Sequence, residues 1–491
     1  MAEKKFLAFD LGAESGRAII GTLREGRITL QEMHRFANPC GKINGHFYWG
    51  LIGQWEELKT GLHKAAAAMG ATQLSGIGVD TWGVDFGLLD KNGEILGNPS
   101  MYRDPRTDGI IDKICKKVGR DRVFEATGIQ FLQFNSLFQL YAMKLAKSPL
   151  LKVADKLLFI PDLFHYLFTG VKKNEFSIAT TSQMYDPRAK AWATGLLEEL
   201  KLPTKILCEI VPSGTILGGL KKDVADECGV GAIPVITPAS HDTGSAVAAV
   251  PAEGQDWCYI SSGTWSLMGV ELDAPIINEK SLKYNYTNEG GVGGSIRFLK
   301  NIMGMWLVQE CRRQWQKEGH EHNYAELANM ATEARPFVAL LNPDHGPFLS
   351  PGEMPRKIEE FCVRTKQTPP GTKGEIVRTC LEGLALTYRK TLDGLEDVLG
   401  KRIGVIHIVG GGCQNDLLNQ MTADACARPV LAGPVEATGM GNLLTQAMAT
   451  GDVKSLDELR AIVRASFAVK RYEPGDTPTW DAAYAKYREI L

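Results

Sequence analysis

PVITPASHDTGSAVAAVPAEGQDWCYISSGTWSLMGVEL, residues 234–272, stands at the middle of a 491-residue chain and holds a helix between two strand-like runs. Ser240 is placed to cap a helix that has Asp242 and Thr243 in its first turn. The body from Gly244 to Val250 is small enough to pack against another backbone. A carboxylate therefore opens that helix. Beyond the PAEGQ turn, WCYI and SLMGVEL read as strands joined through SSGTW, where glycine and hydroxyls let backbone N–H groups approach an anion. Taken alone, the stretch is equally an ordinary helix cap followed by an ordinary hairpin.

The beginning of the chain changes that balance. KKFLAFDLGAESGRAIIGTL, residues 4–23, repeats the layout of strand, glycine turn and strand, and Gly12 and Ser15 match Gly263 and Ser266 at one offset of 251. A second echo pairs SHDTGSAVAAV with EATGMGNLLTQAMA (436–449), since Thr243-Gly244 and Thr438-Gly439 each open a helix rich in small residues. Two long-range echoes imply a duplicated α/β fold with a cleft between the halves. The expected domains are residues 1–251 and 252–491, and the small-residue helices are expected in opposite halves.

A mass of 53.8 kDa exceeds a single core and suits two domains. The net charge is −2 and basic runs stop at pairs, so neither a nucleic-acid footprint nor a polybasic membrane patch is present, and an anionic cofactor has to be held locally. Asp10 interrupts the first apolar run before it can form a signal-peptide core, and no stretch reaches membrane-spanning length. Ten scattered cysteines without a CxxC pair suit reduced thiols in a cytoplasmic protein. Cys362 and Cys380 flank a loop but are read as free. Cys311, His320 and His322 fit no zinc spacing.

Asp10 falls at the end of the first strand. A buried carboxylate there needs a partner, which a hydrated magnesium ion on a nucleotide or the Gly12–Ser15 turn supplies. A hairpin is expected at Glu25-Gly26. Asp80, Thr81, Trp82, Gly83 and Asp85 gather at a later strand end, where Trp82 is either a platform for a sugar face or a core residue. From Asp108 to Gly218 the periodicity turns helical; its polar residues Asn135, Gln139, Thr180, Thr181 and Gln183 either face substrate or serve as caps and buried hydroxyls. A long helix is expected from near Asn301, with Gln309 two turns on and on roughly the same face. The GGVGG run before it lacks a dinucleotide fingerprint's context. Near the end, the strand IHIV runs into three glycines at 410–412 before a helix; a tight turn needs one or two, so a ligand explains the third.

DLGAESGR at Asp10, DTWGVDF at Asp80, YRDPRT at Tyr102, SHDTGSA at Ser240, SSGTWSLMG at Ser261, TNEGG at Thr287, KNIMGMW at Lys300, VGGGCQN at Val409 and GPVEATGMGN at Gly433 form an ordered set. From about residue 4 to about 450 that set resembles the FGGY carbohydrate kinases, within the actin-like ATPase superfamily. The resemblance implies two ribonuclease-H-like domains, ATP with Mg2+ in the cleft, and transfer of the γ-phosphoryl group to O1 of L-rhamnulose. Carried over by position, Asp242 is the general base, and His241, Thr243, Gly83 and Asn301 contact the sugar. Ala13, Glu14, Ser15, Gly16, Arg17, Thr264, Gln309 and Gly411 hold ATP. The sequence departs from the pattern at Ala13 and Glu14, where many relatives carry hydroxyls, and at Gly439, where close relatives carry alanine.

An aspartate at a helix N-terminus, its pKa held low by the dipole, suffices to take an alcohol proton late in phosphoryl transfer. The rival acceptors are another ketose or polyol, such as L-fuculose or glycerol. A rival of a different class is an actin-like filament or chaperone ATPase, against which stand Asp242 and the large polar and aromatic insertion between Asp80 and Thr215.

Overall fold

A computed structural model describes residues 3–69 and 74–491. The chain forms two compact units: 1–251 with 271–299 and 437–467, and 252–270 with 300–436 and 468–491. The division at 251/252 is thus one of several crossings, and two later segments return to the first unit.

The first unit is built on strands β1 (Lys4–Leu11), β2 (Ser15–Arg24), β3 (Arg27–Ala37), β4 (Gly76–Thr81), β5 (Ile216–Gly219) and β6 (Pro234–Ile236), arranged β5-β6-β4-β1-β2-β3. From Phe6 to Phe9, β1 is an unbroken apolar run with no exposure, as a strand covered on both faces requires. Glu25 and Gly26, both at positive φ, make the expected turn between β2 and β3.

The other sheet has seven strands: the edge strand Thr287–Gly290, followed in order by β9 (Ile296–Met303), β8 (Trp265–Leu272), β7 (Trp257–Ser262), β10 (Val405–Val409), β11 (Val430–Ala432) and β12 (Lys470–Tyr472). Pairing signs repeat between the sheets. β1 is antiparallel to β2 and parallel to β4, β4 is parallel to β6, and β6 is antiparallel to β5. Likewise β7 is antiparallel to β8 and parallel to β10, β10 is parallel to β11, and β11 is antiparallel to β12. The duplication read from two short echoes is therefore a duplication of whole sheets, each of ribonuclease-H-like order.

The single offset of 251 does not survive. Leu11 pairs with Gly16, whereas Ser262 pairs with Ser266, so the first turn is one residue longer and Ser266 corresponds to Gly16 rather than Ser15. The small-residue helices Asp242–Ala248 and Ala437–Ala449 are not in opposite halves; both belong to the first unit and pack on each other. A Cβ on Gly441 would lie 1.8 Å from Ser245 O, so no other residue permits this approach.

Asn301 lies on β9, not on a helix. Residues 296–299 pair with the strand Thr287–Gly290, Gly304 ends the run, and the helix begins only at Trp306 and ends at Lys317. The common face proposed for Asn301 and Gln309 is lost with that helix start. Within the first unit, the expected helical insertion packs its own core around Phe124, Leu137, Phe138, Leu157 and Phe159. Among the described residues, no helix is long and apolar enough to cross a membrane. All ten cysteines are free thiols.

Candidate active site

Parallel pairing of β1 with β4 sets Asp10 directly beside Asp80. The next register position continues outward, because Thr81 N–H donates to Ser240 O at 2.9 Å and Thr81 bridges to His241. The sheet edge thus delivers the start of the Asp242 helix to the two acids. Ser240 does not cap that helix. Its N–H donates to Glu175 Oε2 at 3.0 Å and the N-cap position is His241, because buried Glu175 holds the incoming loop.

Asp242 Oδ1 accepts from Thr243 N–H at 2.5 Å and from Thr243 Oγ1 at 3.2 Å. Although 28% of its side chain is open, burial of the carboxylate pushes its pKa up, countered by His241 and reinforced by Asp10. The low pKa expected from the dipole is overturned: this helix has seven residues, and desolvation outweighs its two donors. Asp80, with no exposure, is pushed well above the carboxylate range by burial and by Asp10, with Asp242 adding to it. Its Oδ2 accepts from Asn442 Nδ2 at 2.6 Å, while Oδ1 is buried without a hydrogen-bond partner among the described residues.

Asp10 has a partner that the sequence reading did not name. Arg17, opposite it across the β1/β2 hairpin, places Nη2 at 2.6 Å from Asp10 Oδ2. Arg17 therefore braces the first strand end. In the same turn, Gly12 N–H donates to Ser15 O at 3.0 Å, and Asn38 holds Gly12 O and Glu14 O. A Cβ on Gly16 would meet the Phe36 ring at 2.2 Å, which gives that glycine a packing reason of its own.

His241 is buried, with Nε2 3.5 Å from Asp242 Oδ1. Gly83 lies against it, since a Cβ there would be 3.3 Å from His241 Nε2. Thr243 is buried beside Asp242. Trp82 is only 5% exposed and packs on Trp49 with centroids 4.2 Å apart, which supports the core alternative over a sugar platform. The indoles of Trp49 and Trp82 and the N–H of Tyr102 all donate to Asp85 Oδ2, while Gln139 Nε2 donates to Oδ1; burial pushes the pKa of Asp85 up to about 6 despite these donors. Asn135, Gln139, Thr180, Thr181 and Gln183 also bond within the fold, as caps and buried hydroxyls do.

In the second unit, the hairpin turn at Gly263 and Thr264 is pinned to the next helix: Gly304 N–H and Trp306 N–H both donate to Thr264 O. Gln309 follows in that helix's first turn, and its Oε1 is buried without a hydrogen-bond partner among the described residues. Beyond β10, Gly410 has φ +84° and Gly412 would bring a Cβ to 2.0 Å from Ser262 Oγ. Those two glycines serve the turn. At Gly411, which is exposed, a Cβ would meet nothing within 4 Å among the described residues, so packing does not require that glycine. Asn301 also belongs to this unit, next to Lys300, whose pKa burial lowers to about 8.

The first unit thus gathers Asp10, Arg17, Gly83, His241, Asp242 and Thr243, and the second holds Thr264, Gln309, Gly411 and Asn301. The sequence reading missed Glu175, Glu289 and Arg297 around His241, as well as Asn442 on Asp80. A hairpin reading of TNEGG and SIRF across the GGVGG turn could have set Glu289 against Arg297.

Residues 5–249 match the N-terminal domain, and residues 258–450 the C-terminal domain, of the FGGY family of carbohydrate kinases. A protein named rhamnulokinase from Bacteroides thetaiotaomicron is 44% identical over 489 residues, covering 100% of both chains. The chain belongs to the FGGY carbohydrate kinases. Another relative of this FGGY kinase, a rhamnulokinase from Halalkalibacterium halodurans, is 42% identical and covers 96% of this chain and 99% of its own. The fold also matches a ligand-bound xylulose kinase from Lactobacillus acidophilus (TM-score 0.82, 16% identity, 99% and 97% of the two chains). A Plasmodium falciparum glycerol kinase with ADP matches at TM-score 0.75, 16% identity and the same coverages. This FGGY kinase is therefore a phosphotransferase acting on a small-molecule sugar, and the filament reading falls away.

Proposed function

We propose that this FGGY kinase transfers the γ-phosphoryl group of ATP to O1 of L-rhamnulose, with Asp242 as the general base. Two features support the reading. Relatives named rhamnulokinase match along 96% or more of the chain, and Asp242 is a carboxylate whose pKa burial raises while its side chain stays partly open.

Asp242 takes the proton of the O1 hydroxyl, O1 bonds to the γ-phosphorus, and the bond from that phosphorus to the bridging oxygen breaks to release ADP. Transfer of this kind depends on positioning and charge neutralisation more than on a strong base. His241, Thr243, Gly83 and Asn301 are the sugar contacts. Trp82, buried against Trp49 and bonded to Asp85, is left out of the sugar contacts. The turn Ala13 to Arg17, with Glu14, Ser15 and Gly16, is assigned to phosphate, and Thr264, Gln309 and Gly411 to ATP. The buried orphan Oε1 of Gln309 and the open face of Gly411 fit that assignment.

The orphan Oδ1 of Asp80, beside Asp10, fits a cation that would relieve the repulsion among the acids. Asp10 and Asp80 would hold magnesium, mostly through its water shell, and the ion would neutralise phosphate charge. The test is ADP release with L-rhamnulose, L-fuculose, L-xylulose and glycerol, with the product identified by NMR. The proposal requires the highest kcat/KM for L-rhamnulose and a phosphate on O1; equal or better turnover of another acceptor would replace the assignment.

A further inference from the structure

Arg297 has no exposed surface, and a guanidinium removed from water has to recover charge and hydrogen bonds inside the fold. Its register partner across the hairpin of Thr287–Gly290 with β9 is Glu289, whose Oε2 lies 3.3 Å from Arg297 Nη2. Arg297 Nε donates to Gly290 O at 2.8 Å, and Gly290 N–H donates to Thr180 Oγ1 at 2.7 Å, so the hairpin is seated on the insertion. Into this pair comes His241: its Nδ1 is 3.1 Å from Arg297 Nη2 and 3.2 Å from Glu289 Oε2.

The two neighbours of Nδ1 make opposite demands: Glu289 Oε2 only accepts and would call for a proton on Nδ1, whereas Arg297 Nη2 only donates and calls for a lone pair there, and the hydrogen bond is the shorter contact, the one with Arg297. The proton of the neutral ring then sits on Nε2. That nitrogen faces Asp242 Oδ1 and the bare Cα of Gly83. The backbone of His241 is fixed independently. Its N–H donates to Ser177 Oγ at 3.0 Å, and Ser177 in turn donates to Glu175 Oε2 at 2.6 Å. The charged groups facing the ring are Asp242 from its own helix and Glu289 and Arg297 from the hairpin.

Resting on the sugar site proposed at Asp242, we infer that Arg297, paired with Glu289, is a positioning residue that fixes His241 as its Nε2–H tautomer, so that the ring donates a hydrogen bond to a sugar hydroxyl beside Asp242. The other tautomer would aim a lone pair there, and the ring could then only accept.

Two measurements test this. The ring 15N shifts of His241 in the ligand-free wild type, assigned by loss of the signal in His241→Gln, should show Nε2 protonated and Nδ1 as acceptor. A double variant, Arg297→Met with Glu289→Gln, removes both charges and leaves neither buried alone. It should mix the tautomers and lower kcat/KM for L-rhamnulose by roughly 2- to 10-fold, the worth of one hydrogen bond between neutral groups, with KM for ATP unchanged. In a His241→Gln background the same pair should cost nothing further. Unchanged sugar kinetics in a folded double variant, or losses that add in that background, would overturn the inference. Should the double variant not fold, the wild-type shifts decide alone: a proton on Nδ1 in an enzyme active on L-rhamnulose overturns the positioning role and spares the functional reading. An enzyme inactive on every ketose, with its proton on Nε2, overturns the sugar reading and with it the hydroxyl as the ring's partner.

Discussion

Burial, rather than the helix dipole, sets the character of Asp242. A carboxyl whose folded-state pKa is raised binds more protons folded than unfolded, so its contribution to stability is present below the unfolded pKa and is lost as pH rises through the folded one. Asp242→Asn should therefore reduce sugar phosphorylation by on the order of 10² to 10⁴ while the protein melts at the same or a higher temperature at neutral pH. Melting curves beside ADP-release assays check both halves, and a variant with near-wild-type turnover would remove the base. The same sign holds at Asp85, which titrates at about 6 against an ordinary 3.8. Urea unfolding should show wild-type stability falling between about pH 4 and 6 more steeply than that of Asp85→Asn; parallel slopes would mean that Asp85 is ionised throughout. Most site residues were legible in the sequence as types at turns and helix starts. Their partners were not, because Arg17 against Asp10 and Asn442 against Asp80 depend on register and on contacts across hundreds of positions.

At the level of elements, the strands and the glycine turns were readable from apolar runs and turn residues, whereas the ends of helices were not. Ser240 has the right chemistry for a cap, but Glu175 claims its N–H and the helix begins two residues later. Asn301 follows an apolar run compatible with either structure, and only pairing of that run with Thr287–Gly290 makes it a strand. The three glycines after β10 separate by function. Gly411→Val should weaken ATP binding in calorimetry and leave stability and sugar binding near wild type, while Gly412→Val, aimed at Ser262, should destabilise the fold. Equal ATP affinity in Gly411→Val would remove that glycine from the nucleotide site. Where the two small-residue helices cross, Gly441→Ala should cost about 3 kcal/mol or more, since its Cβ would sit 1.8 Å from a backbone oxygen. Chemical unfolding of that variant with wild-type stability would contradict the close crossing.

Across the whole molecule, two sheets that share a six-strand order and its pairing signs, one of them with a seventh strand at its edge, show that duplication is the organising fact of the chain. The duplicated parts have diverged in their chemistry. In the first sheet Asp80 ends the strand beside Asp10, and in the second the glycine run follows the strand beside Ser261. An acid site and a side-chain-free turn therefore occupy equivalent places in the two copies. That divergence is what the proposed activity needs, acids for proton and cation on one copy and open backbone for a nucleotide on the other. The measurement that bears on it most directly is the conversion of L-rhamnulose and ATP, followed by 31P and 13C NMR in parallel for the wild type and Asp242→Asn. The wild type should yield ADP and a phosphate ester whose phosphorus couples to C1, with the variant slower by on the order of 10² or more. A phosphate on another carbon, no ester at all, or equal rates in the two proteins would contradict the assignment of O1 transfer with Asp242 as its base.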